Sequence, residues 1–145
     1  MYRDVTKTAT ATIPIVVGNR RPTVTITTPT GGGHYDAGDT IGYSATATDP
    51  EDGELGDAAF SWKVIFHHAD HIHPYLGPVT GSATGSFTIA PVPDNGPTTW
   101  FEIQATATDS GGLSATTSVE IVPNLVDLTV EASSPRLVPK TYGLS

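Results

Sequence analysis

Two copies of one phrase, Ala45-Thr46-Ala47-Thr48-Asp49 and Ala105-Thr106-Ala107-Thr108-Asp109, decide how this chain is read. Each alternates a small apolar residue with threonine, which suits a pleated strand with one face buried and the other wet. Each then ends in an aspartate that leads into turn formers, Pro50-Glu51-Asp52-Gly53 after the first and Ser110-Gly111-Gly112 after the second. Two similar strands therefore each deliver an aspartate to the mouth of a loop.

Working outward, the same alternation places strands over 23–27, 40–48, 60–68, 85–90, 99–108 and 113–122, with a short one around Val79. Sustained 3.6-residue periodicity is missing, and short alternating runs broken by Gly, Pro, Asp and Asn indicate an all-β sandwich. Its spacing of about seven strands fits an immunoglobulin-like antiparallel β-sandwich. Period two then assigns the inward face to Val24, Ile26, Ile41, Tyr43, Ala45, Phe60, Trp62, Val64, Phe87, Ile89, Phe101, Ile103, Val119 and Ile121, with Trp62 at the centre.

The chain has 145 residues, enough for one domain with a compact core. Seven basic and fifteen acidic side chains give a net charge of −8, which argues against binding a nucleic-acid backbone. No apolar run is long enough to span a membrane. Cysteine is absent, so disulfides and thiol chemistry are excluded. A second similarity concerns organisation. Thr8–Val17 before the Asn19 linker parallels Ser114–Val122 before Asn124, and Pro22–Pro29 parallels Asp127–Pro135. The expected division is 1–20 as the last strand of a preceding repeat plus linker, 21–124 as the complete sandwich, and 125–145 as the start of a following repeat or a tail. Met1 stands directly before a strand-like segment, so the chain reads as an excised piece. Its terminal strands could then exchange between copies as a homo-oligomer.

The run from Ala37 to Leu55 (AGDTIGYSATATDPEDGEL), the segment FSWKV at 60–64 and the stretch from Phe101 to Val122 together resemble the PKD and cadherin-like group of bacterial extracellular immunoglobulin-like modules. Trp62–Gly77 with Asp109–Ser114 more narrowly resembles modules appended to secreted quinoprotein glucose/sorbosone-dehydrogenase-like enzymes. The resemblance implies a non-catalytic, secreted accessory module that spaces, orients or docks a multidomain, carbohydrate-active enzyme. One departure stands out: no Gly-Asp-Gly follows Trp62, and a histidine-rich stretch occupies its place.

In this topology the loops after the two repeated phrases meet at one end of the sandwich, where the N-terminal linker also enters. Asp49, Glu51, Asp52 and Asp109 converge there, with Glu54 and the Asn19 side chain nearby. Carboxylates about 4 Å apart repel by about 1 kcal/mol in water and about 4 kcal/mol at an effective dielectric of 20. Such a cluster either splays into solvent as a capping turn or binds a cation, and calcium, with six to eight hard oxygen ligands, fits. Cadherin-like modules, by resemblance, hold calcium between domains with such carboxylates.

The opposite end carries His67-His68-Ala69-Asp70-His71-Ile72-His73, and the 31–38 loop brings His34 to the same end. His71 and His73 at i and i+2 face one side of an extended chain, a chelating spacing for zinc or copper. Structural hydrogen bonding and plain solvation are the competing readings of these histidines. Trp100 points outward opposite Phe101, Ile65 shares that face, and Tyr75 falls in the adjacent turn. Such a face stacks on a polysaccharide, making the chain a carbohydrate-binding module, or packs on a neighbouring domain. No Ser/His/Asp constellation at a recognisable spacing supports an enzyme.

Overall fold

A computed structural model describes residues 10–13, 18–91, 96–127 and 129. Nine strands run through it: β1 Thr23–Thr28, β2 Gly33–Tyr35, β3 Thr40–Asp49, β4 Gly53–Glu54, β5 Phe60–His68, β6 His71–Thr80, β7 Thr84–Thr88, β8 Thr99–Thr108 and β9 Ser114–Pro123. One sheet is built from β1, β3, β4 and β7, the other in the order β2-β9-β8-β5-β6. This is an all-β, immunoglobulin-like sandwich. All pairings are antiparallel except β2 with β9, where Gly33–Tyr35 runs parallel to Ile121–Pro123.

The two repeated phrases lie on different sheets, at the ends of β3 and β8. Their alanines are buried and their threonines face outward, as alternation requires. The alanines have a packing reason. Phe60 pairs in register with Ala107 and Trp62 with Ala105, so each bulky ring on β5 stands beside a small residue on β8. Across the sandwich the Tyr43 ring packs on Trp62 at 4.4 Å. The indole N–H of Trp62 donates to the Ser82 carbonyl at 2.9 Å, so the buried ring keeps no orphan donor. Of the expected inward face, Val24, Ile26, Ile41 and Val119 are half-buried and the rest are buried.

Two elements depart from the expectation. The segment after the histidines is not a turn. It forms β6, a ten-residue edge strand hydrogen-bonded to β5. The register shifts twice near Val64, where Gly77 adopts φ +95° with its Cα packed against the Trp62 carbonyl, leaving no room for a side chain. The second departure is β2, too short to read from three residues. The strand expected over 8–17 falls partly outside the described residues, and residues 10–13 carry none. The segment 127–135 also lies almost wholly outside them. No helix among the described residues is long and apolar enough to cross a membrane.

Candidate functional site

Asp49 and Asp109 close β3 and β8 at one end of the sandwich, and both are buried, at 5% and 6% exposure. Each carboxylate organises its own loop. Asp49 Oδ1 accepts the backbone N–H of Glu51 and of Asp52, both at 2.9 Å. Asp109 Oδ1 accepts the N–H of Leu113 at 2.8 Å, while Gly112 N–H returns to the Asp109 carbonyl. The aspartate after each phrase is thus a local turn-former in both copies.

The loops are then tied together. Asp52 accepts the Ser110 N–H at 2.7 Å and its hydroxyl at 2.8 Å. These bonds, the backbone one foremost, hold the Asp52 carboxyl below its ordinary range. The segment entering the sandwich is fastened to both loops. Asn19 Nδ2 donates to Asp109 Oδ2 at 3.0 Å, Arg20 gives its N–H and Nε–H to the two oxygens of Glu51 at 3.1 and 2.9 Å, and Arg21 reaches the Ser114 carbonyl at 2.6 Å. Gly111 makes the first contact feasible: a β-carbon there would land on the Asn19 amide. Asp49, Glu51, Asp52, Asp109 and Asn19 therefore do gather, whereas Glu54 stands on β4 opposite Thr48. The repulsion expected among these carboxylates is answered by amide, hydroxyl and guanidinium donors. One oxygen stands apart: Asp49 Oδ2 is buried without a partner.

At the other end, Ala69 and Asp70 turn β5 into β6, with Ala69 at φ +51°. His68 and His71 are direct cross-strand partners, and His68 Nδ1 lies 3.4 Å from His71 Nε2. His71 Nδ1 meets Asp70 Oδ1 at 3.1 Å, and the His73 ring stands edge-on to His71 at 4.9 Å. His67 points to the opposite face, stacked on Trp100 at 4.5 Å and bonded to Glu102 at 3.1 Å. Glu102 is held below the usual range chiefly by Gln104, with His67 and Ser118 adding to it. His34 lies on β2, across β9 and β8 from β5, about 14 Å away at normal strand spacing. It is no neighbour of the other four. Among the described residues no group of three or more His, Asp or Glu is arranged to hold a metal ion.

The outer-face trio does not assemble either. Trp100 has one ring face covered by His67, and its Nε1 is buried without a partner. Ile65 lies with Ile72, Pro74, Leu76 and Pro78 in a shallow groove of about 330 Å³ at the β5–β6 edge. Tyr75 turns inward, because the strand that carries it pairs with β5 and alternation sends it to the core. Its ring packs on Phe101 at 4.8 Å and Phe87 at 5.8 Å. Sequence reasoning missed Ser110, Arg20 and Arg21 as fastenings. The signal was there: two of only seven basic residues stand adjacent in an acidic chain, directly before the first strand.

No protein-family model matches the chain, and no curated protein matches it. Among solved structures, the fibronectin(III)-like modules of Clostridium thermocellum CbhA align with it at a TM-score of 0.42 and 22% identity, covering 73% of this chain and 100% of that one.

Proposed function

We propose that this chain is a non-catalytic immunoglobulin-like accessory module whose task is to hold a neighbouring domain, joined through residues 18–21, at a set angle. One observation carries this reading: the entering segment is fastened at Asn19, Arg20 and Arg21 to both loops of the acidic pole, and those loops are fastened to each other through Asp52 and Ser110. A segment with no mechanical duty needs no such fastening. The neighbour would belong to a secreted, carbohydrate-active enzyme on the sequence resemblance.

Calcium belongs to this reading as an addition to the clamp. The buried, unpartnered Asp49 Oδ2 is the oxygen that a cation would take first. The Asp52 and Asp109 oxygens already accept hydrogen bonds, so the loops would have to open around the ion. Where calcium reaches 100 times its dissociation constant it adds about 2.7 kcal/mol.

Limited trypsin digestion tests the clamp, because the Arg20–Arg21 bond sits inside it. Cleavage there is expected to be slow in the wild type and rapid in Asn19→Ala/Glu51→Ala, with calcium slowing the wild-type rate further relative to chelator. Equal cleavage of wild type and variant would sink the proposal. A calcium-insensitive rate would remove the ion alone.

A further inference from the structure

We infer that the β5–β6 tip is a binding site for one divalent transition cation of the imidazole-preferring kind, zinc or copper, held by His68 Nδ1 and His71 Nε2. Two nitrogens bound to one tetrahedral centre at about 2.0–2.1 Å stand about 3.4 Å apart. His68 Nδ1 and His71 Nε2 are separated by 3.4 Å. That separation is long for a hydrogen bond, whose N···acceptor range is about 2.7–3.2 Å. The rings are therefore spaced for a shared ion better than for each other.

Three further contacts prepare the pair. A carboxylate only accepts, so the bond between Asp70 Oδ1 and His71 Nδ1 puts the ring hydrogen on Nδ1 and turns the Nε2 lone pair toward His68. A carboxylate behind a ligating imidazole is the common supporting arrangement in metal sites. Phe66 lies nearly parallel to both His68 and His73, at 6.2 and 6.5 Å, and gives the rings an apolar floor. The backbone at Ala69 sits in the left-handed region, which a residue with a β-carbon rarely adopts, and its N–H is tied to the Thr98 carbonyl at 3.1 Å. Strain held in place by an outside contact fixes the turn that sets the two histidines opposite each other.

The two histidine nitrogens are the protein's ligands, and water completes the shell. Binding displaces the proton between the rings, since both nitrogens must present lone pairs. Copper(II) is expected to bind more tightly than zinc at these nitrogens. The site stands at the end of the sandwich opposite the linker clamp and is independent of it.

The test is calorimetric titration of the untagged protein with zinc chloride, and copper(II) titration read by electron paramagnetic resonance. One equivalent should bind, with nitrogen coupling in the copper spectrum. His68→Ala and His71→Ala should each abolish stoichiometric binding, and Asp70→Asn should weaken it about tenfold or more. His34→Ala and His67→Ala should leave it unchanged. His71 is exposed and His68 half-buried, and a far-ultraviolet spectrum and melt identical to wild type show that the variants are folded. No stoichiometric binding, or binding that survives His71→Ala in folded protein, would overturn the assignment. So would equal losses in the His34 and His67 variants.

Discussion

Asp52 shows how a single side chain at the acidic pole turns into a pH dependence. Its carboxylate joins two loops by accepting twice from Ser110, and those bonds favour the ionised form. A carboxyl whose folded pKa is depressed adds stability above its unfolded pKa and loses it as pH falls toward the folded one. Glu102 has the same sign through Gln104 and His67. The melting temperature should therefore decline as pH is lowered through and below the ordinary carboxylate range near about 4. Asp52→Asn should decline less steeply, because its contribution no longer titrates. Parallel melting curves from about pH 6 to pH 2 for the two proteins would show that the Asp52–Ser110 tie contributes nothing. The convergence of these acidic residues was legible in the sequence, since both phrases end in Asp before a turn. Their partners were only partly so. The Asn19 side chain was expected at this pole, whereas nothing in a strand pattern reveals that Ser110 bonds Asp52 across 58 residues.

At the scale of elements, β6 carries the main lesson. Pro74, Gly77 and Pro78 inside one run argue against a strand, yet an edge strand needs only half its donors, and prolines fit where the N–H would face solvent. The sequence therefore showed only its end, the short strand expected around Val79, and the rest was hidden by residues suited to an edge. The consequence is Tyr75, which moves from an expected surface turn to the seam between the sheets. Its hydroxyl donates to the Thr88 carbonyl at 2.7 Å and accepts from the Ala90 N–H at 2.8 Å, so β6 of one sheet is bolted to the end of β7 in the other. Tyr75→Phe keeps the ring packing and removes both bonds. It should destabilise the fold by about 1–3 kcal/mol in denaturant unfolding. An unchanged midpoint and slope would mean that water replaces the hydroxyl without loss. The strands β1, β3, β5, β7, β8 and β9 were legible because alternation over five or more residues is hard to mistake. β2 was not, because three residues after a glycine run show no period.

For the whole molecule, the two ends of the sandwich have distinct characters. One is acidic, with its carboxylates bonded to loops and linker. The other is a histidine-tipped hairpin. The core between them sets Phe60 and Trp62 beside the alanines toward the acidic end and the aromatic cluster of Tyr35, Phe66, Phe87 and Phe101 toward the other. Composition and alternation were enough for this architecture, since burying one face of every strand leaves few other arrangements. The arrangement behind the proposed mechanical role was only half legible: the meeting of entering segment and loops followed from topology, whereas their fastening depended on Arg20, Arg21 and the space above Gly111. The exposed Arg20–Glu51 pair contributes about 1 kcal/mol at most. The larger share falls to Asn19, whose loss would leave a buried Asp109 oxygen without its donor, at a cost of about 1–3 kcal/mol.

The central claim is that residues entering the sandwich move as part of it. Nitrogen-15 relaxation of the backbone amides, recorded in chelator, tests it most directly. The amides of Asn19, Arg20 and Arg21 should have order parameters of about 0.85, equal to those of β3 and β8, and fall below about 0.6 in Asn19→Ala/Glu51→Ala. Values below about 0.6 at these three amides in the wild type would contradict the account, because a linker that moves freely cannot set the angle of a neighbouring domain.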